Sequence, residues 1–173
     1  MLCLVEPVKV RLRGFNLVIH YLQGDATRPM AAGQKIIVHI CNDIGLWGKG
    51  FVLALSGRWY KPEQAFYRWY SQRANNDFRL GAVQFIQVES DICIANLVGQ
   101  HNIIPIEGVA PIRYAAVDEG LEAIAVYAKE HNASVHMPRI GCGLAGGQWS
   151  EIEKIIDKRL IKWGVPVYVY DYN

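Results

Sequence analysis

Two glycine-rich stretches hold the residue types most suited to meeting a ligand with the backbone. One is Arg139-Ile140-Gly141-Cys142-Gly143-Leu144-Ala145-Gly146-Gly147, entered from a β-type run at 134–137 and left by an amphipathic helical pattern at 150–163. Its four glycines within seven positions remove the Cβ atoms that would hold a ligand off the backbone, and they permit φ > 0. A loop of this kind, closed by a helix start, turns free N–H groups and a positive dipole end toward an anion. Alone, it reads equally well as a tight β-to-α turn with no ligand. The other stretch, Asn42-Asp43-Ile44-Gly45-Leu46-Trp47-Gly48-Lys49-Gly50, follows an apolar run that His39 interrupts.

The elements that must position these loops follow from the hydrophobic pattern. Alternation over 17–22 suggests a first strand, ending at Gln23-Gly24-Asp25-Ala26-Thr27. There Asp25 either caps a short helix or offers a carboxylate to a ligand amine. The near-continuous apolar run 35–41 is typical of a buried parallel strand. A helix is expected over about 51–59, and a second one begins near Pro62, since proline suits a first turn. Phe66, Trp69 and Tyr70 fall on one face of it, a spacing better explained by core packing than by a nucleobase platform. Strands at 82–88 and 92–98 around Glu89-Ser90-Asp91 read as a hairpin, so the sheet is mixed. Helices over about 112–130 and 150–163, and a last strand at 165–170, complete one α/β domain. The parallel strands then end at Asp25, Asn42, Gly99-Gln100, Arg139 and Asp171, and in open α/β sheets ligands bind outside those carboxyl ends. Two glycine loops on one rim suit a diphosphate, one loop on each side.

Composition narrows the function classes. The chain has 173 residues, 51% of them hydrophobic and 20% charged, which excludes disorder. A net charge of +2 is too small to argue for a polyanion such as duplex DNA. None of the four cysteines forms a C-x-x-C pair, so neither zinc nor a disulfide framework is expected. A reducing, cytoplasmic setting follows weakly. No apolar run suggests a signal peptide or a membrane span. G-x-G-x-x-G in a strand-turn-helix context, the P-loop and the G-x-S-x-G elbow are all absent.

Four separated motifs, taken together and in order, resemble the macrodomain family. They are Gly24-Asp25-Ala26-Thr27, His39-Ile40-Cys41-Asn42 leading into Gly48-Lys49-Gly50, Asn96-Leu97-Val98-Gly99-Gln100, and Met137-Pro138-Arg139-Ile140-Gly141-Cys142-Gly143-Leu144. The resemblance covers nearly all of 17–173 and leaves 1–14 as an extension before a domain at 15–173. It is closest to the branch containing the yeast ADP-ribose-1″-phosphate phosphatase and the terminal ADP-ribose–protein glycohydrolase. It implies a three-layer α/β/α fold, a mixed sheet of roughly six strands, and a cleft for ADP-ribose. By matching position, Asp25 would accept a hydrogen bond from the adenine amino group, with the Ala26 amide nearby. Asn42 to Gly50, including Gly48 and Lys49, would run along the distal ribose. Ile140, Gly141, Cys142, Gly143 and Leu144 would hold the diphosphate through backbone amides. Tyr170, Asp171 and Tyr172 would flank the adenine, where a tyrosine could stack.

The chemistry carries over less completely. The glutamate-directed glycohydrolase of this family uses a lysine and an aspartate where this chain has Gln100 and Ala145, which can neither form a Schiff base nor relay a proton. The H-x-C-N arrangement of the phosphatase branch is present, which makes His39 an acid–base candidate, or else a histidine bonded inside the sheet. Asn42 would orient the distal ribose or its leaving group. Asp43, the only carboxylate in its loop, either activates a water or caps the loop. Lys49 either meets a phosphate or is solvated, and Gln100 and His101 lie near the distal ribose. Two functions stay open. One is hydrolysis of ADP-ribose-1″-phosphate or of an ADP-ribosyl ester on protein or nucleic acid, with no metal or cofactor. The other is recognition of ADP-ribose without turnover. Nucleic acid is expected only as a modified substrate.

Overall fold

In a computed structural model, which describes residues 18–172, a six-stranded sheet runs in the order β1-β6-β5-β2-β4-β3. Its strands are β1 (Ile19–Gln23), β2 (Lys35–Asn42), β3 (Val83–Glu89), β4 (Ile92–Gln100), β5 (Ser134–Pro138) and β6 (Val167–Asp171). All neighbours pair in parallel except β3 with β4, which form the expected hairpin. The extension 1–14 lies outside the described residues.

Alternation along β2 explains the layering. Ile36 and Val38 face one side and Ile37 and Cys41 the other, so a strand buried on both faces must be apolar throughout. On the first side lie α3 (Tyr114–Glu130) and α4 (Trp149–Arg159), burying Val117, Leu121, Ile124, Ile152 and Ile156 against the sheet. The second side carries α1 (Phe51–Ser56) and α2 (Lys61–Ser71), with Leu55, Phe66 and Trp69 in the core. The aromatic stripe of α2 is therefore packing, and the indole nitrogen of Trp69 is satisfied by Asp77 at 2.8 Å.

Several element ends differ from the expected ones for local reasons. The α1 helix stops at Ser56, where Gly57 follows, and α2 begins one residue before Pro62. The α3 helix starts at Tyr114 because Ile112 instead bridges Gln100 at the end of β4. A 3-10 turn, Ile161–Trp163, follows α4 and closes on Gly164 in the left-handed region. Among the described residues, no helix is long and apolar enough to cross a membrane.

Candidate functional site

The carboxyl ends of β2, β4 and β5 open into a cleft of about 630 Å³. Asn42, Gly48, Lys49 and Gly50 line one wall, Gln100 stands at the end of β4, and Ile140, Gly141, Gly143 and Leu144 form the facing wall. Trp47, Ile103 and Ile104 make much of the remaining surface apolar.

Each glycine loop is held by its own bonds while leaving several amides unused. In the 139–147 loop, Gly146 N donates to Gly143 O at 3.0 Å and Gly147 N to Gly141 O at 2.8 Å. A Cβ on Gly147 would sit 2.6 Å from that same Gly141 oxygen, so only glycine closes this turn. The N–H groups of Gly141, Gly143 and Leu144 donate to no protein acceptor among the described residues. In the other loop, Asn42 does the holding. Its Oδ1 accepts from Ile44 N (3.2 Å) and Leu46 N (2.9 Å), and its Nδ2 donates to Leu46 O at 2.6 Å. Gly50 then turns the chain into α1 with φ 80 and ψ -146, a backbone state essentially reserved for glycine. The amides of Gly48, Lys49 and Gly50 likewise donate to no acceptor among the described residues. Two rows of open amides thus belong to opposite walls of one cleft, an arrangement suited to a polyphosphate-like anion.

The two histidines beside the cleft differ sharply. His39 is only 2% exposed, lies edge-on to Trp47, and bonds Asn96 Oδ1 through Nε2 at 2.5 Å. Asn96 gives both amide hydrogens to Pro62 O and Gln84 Oε1, so its oxygen must accept and His39 carries its hydrogen on Nε2. Burial lowers the His39 pKa to about 4. The ring borders the cleft and is at the same time bonded within the sheet, so both positions considered for it from sequence meet in one side chain. His101 is 43% exposed at the side chain, and its Nδ1 lies 2.6 Å from Asp43 Oδ2. The other Asp43 oxygen accepts from Asn102 N at 2.8 Å. Asp43 therefore ties the β2 loop to the β4 loop, just outside the cleft wall, rather than capping its own loop.

The residues matched to adenine binding lie farther along the rim, outside the cleft wall, and most are engaged. Asp25 Oδ1 accepts from both the amide and the hydroxyl of Thr27 at 2.8 Å, so it does cap a turn. Its Oδ2 meets only Arg28, at 4.0 Å, among the described residues. Ala26 is buried. Both carboxylate oxygens of Asp171 are taken by Arg139 at 2.6 and 2.9 Å, and this pairing holds the Asp171 pKa below the usual range. Tyr170 is 3% exposed. Its hydroxyl accepts from Met30 N at 2.9 Å and bonds His136 Nδ1 at 3.0 Å, so it cannot present a face for stacking. Of the two tyrosines matched to the adenine, Tyr172 is the exposed one, at 83%. Cys142 points its thiol at Ile140 O and does not line the cleft.

Some participants were not singled out from sequence. Arg139 lines the cleft while its guanidinium packs over Tyr21 and Trp149. Ile103 and Ile104 give the mouth its apolar side, and two adjacent isoleucines directly after the β4 end were the available signal. Among the described residues no cluster of three or more His, Cys, Asp or Glu could hold a metal ion.

The sheet order, the flanking helix pairs and the two glycine loops at the carboxyl rim define a macrodomain, and this chain belongs to that family. It is 52% identical to a macrodomain protein from Streptomyces coelicolor, covering 90% of this chain and 100% of that one with a TM-score of 0.81. It is 33% identical to the Mus musculus chromodomain-helicase-DNA-binding protein 1-like over 88% of this chain, which spans only 17% of that relative's length. It is 27% identical to an ADP-ribose 1″-phosphate phosphatase of Candida albicans over 82% of this chain and 93% of the relative. No family model matches the chain.

Proposed function

We propose that the cleft binds ADP-ribose and hydrolyses a derivative carrying a leaving group on the distal ribose, either a phosphate or an acyl ester. The observation that carries this reading is the two sets of open amides, those of Gly48, Lys49 and Gly50 and those of Gly141, Gly143 and Leu144, on facing walls. They match a diphosphate without requiring a cationic surface, which agrees with a net charge of only +2. The likeness to an enzyme named ADP-ribose 1″-phosphate phosphatase points to the same ligand. In this reading Asp25 Oδ2 receives the adenine amino group, and the Asn42 loop and Gln100 border the distal ribose. Amides held in place before the ligand arrives would stabilise charge as the bond breaks, with no reorganisation at that moment. Asn42 acts by shaping the loop, since its amide is spent on Leu46.

A second reading is a binding module without turnover. It is favoured by Gln100 and Ala145 in positions where a related glycohydrolase has reactive groups, and by the sealed state of His39. Calorimetric titration with ADP-ribose, beside AMP, NAD⁺ and ribose-5-phosphate, tests the shared part of both readings. Selective binding of ADP-ribose, weakened in Asp25→Ala, is the expected result; equal or absent binding of all four would refute it. Release of phosphate or ADP-ribose from the two substrate classes then separates enzyme from reader.

A further inference from the structure

Just outside the cleft wall stands an acid–base pair made by two loops. Asp43 follows the last residue of β2, and His101 follows the last residue of β4. Their chain neighbours Asn42 and Gln100 line the cleft, as does Ile103, two residues beyond His101. The His101 Nδ1 to Asp43 Oδ2 distance is 2.6 Å, and Asp43 is fixed in turn by accepting from Asn102 N and donating its own N–H to Gln100 O at 3.1 Å. His101 is pinned from the other side, its N–H bonded to Pro111 O at 2.8 Å. Between them Asn102 adopts φ 62, a left-handed state that few non-glycine residues occupy. The carboxylate is thus oriented and only 18% exposed, while the imidazole is 43% exposed. A carboxylate on Nδ1 keeps the hydrogen there and leaves Nε2 as the basic atom.

We propose that His101, oriented by Asp43, is the general base for the hydrolysis assigned above, an inference that rests on that reading. Water attacks C1″ of the distal ribose, and its oxygen forms the new bond to carbon. The C1″–O bond to the carboxylate or phosphate group breaks, and the electron pair leaves with that oxygen as a stable anion. The proton lost by water passes to His101 Nε2 and then to solvent. Asp43 stays ionised and stabilises the imidazolium. This assignment gives the proton a path that His39, enclosed by Trp47 and Asn96, does not offer.

The test compares wild type with His101→Ala, His101→Gln and Asp43→Asn on ADP-ribose-1″-phosphate and on a glutamyl-linked ADP-ribosyl peptide, with ADP-ribose affinity measured in parallel. Loss of the base should lower kcat about 100-fold or more in either His101 variant while the affinity moves less than about threefold. Millimolar imidazole should restore at least about a tenth of the lost rate to His101→Ala, which a structural tie would not allow. Asp43→Asn should lower kcat and gain nothing from imidazole. Undiminished turnover in both His101 variants would overturn the assignment, and so would rates and affinities that fall together without rescue. Wild type that binds ADP-ribose but turns over neither substrate would overturn it too while leaving binding intact. Wild type that binds no ADP-ribose would instead remove the reading beneath it.

Discussion

The two ends of the carboxyl rim carry similar residue types but use them differently. Where β1 and β6 end, polar groups are spent on each other: Arg139 occupies Asp171, and Tyr170 is locked between Met30 and His136. Where β5, β2 and β4 end, a histidine remains half exposed beside a held carboxylate, and two rows of amides stay open. Gathering residues at strand ends is a matter of topology; their availability is decided by partners. One end mostly holds a shape, leaving Asp25 Oδ2 to a ligand, while the other keeps whole rows of groups available.

The sharpest way to break that contrast lies within one loop. A Cβ added at Gly143 meets nothing within 4 Å, whereas one at Gly147 meets the Gly141 oxygen. Gly143→Val should therefore fold normally, with Tm nearly unchanged, while ADP-ribose affinity falls about 100-fold or more by calorimetry. Gly147→Ala should destabilise the fold by more than about 1 kcal/mol, lowering Tm by about 2–4 °C or more. Matching losses of affinity without a Tm change in both variants would erase the distinction.

The buried histidines give the next effect. The folded pKa values of His39 and His136 are lowered to about 4 and about 3, in both cases mainly by burial. The unfolded chain therefore takes up protons below about pH 6.5 that the folded chain refuses until near those values. Stability from both groups is complete above about pH 6.5 and declines as pH falls from there toward pH 4 and pH 3. By pH 5 the loss should be on the order of 1–2 kcal/mol per histidine. Urea melts between pH 7 and pH 5 should show this slope, and it should be shallower in His39→Gln. A flat profile would contradict the neutral, enclosed state of these rings.

A comparable effect is expected of Tyr170→Phe. It removes a buried acceptor from Met30 N and a partner from His136, at a cost of roughly 1–3 kcal/mol. Hydrogen exchange at the Met30 amide should speed up, while ADP-ribose affinity falls only severalfold. The Arg139–Asp171 pair should matter least for stability. Both side chains are over 30% exposed, so Asp171→Asn should change stability in urea melts by no more than an exposed ion pair allows, roughly 0–1 kcal/mol.

The layout of the fold was legible because buried parallel strands read as apolar runs, as in 35–41, and because the Glu89-Ser90-Asp91 turn separates two such runs. The glycine loops were legible for a similar reason, since few other residues tolerate those turns. What sequence could not reveal was pairing across long separations. His39 is held by Asn96, 57 positions away, and Asp43 finds His101 at 58. Tyr170 is hidden by Met30, 140 positions away, so its place beside an expected adenine site gave no hint of burial. Spacing fixed which residues share a rim, but the difference between two histidines on that rim required the partners themselves.

The central claim is that backbone amides of both glycine loops hold the ligand together. An amide NMR titration of wild type with ADP-ribose tests it directly. The account predicts that Gly48, Lys49, Gly50, Gly141, Gly143 and Leu144 shift along one shared binding curve, while the amides of the Glu89-Ser90-Asp91 turn, at the opposite end of β4, move little. Shifts confined to one loop, or centred on residues away from this cleft, would contradict it.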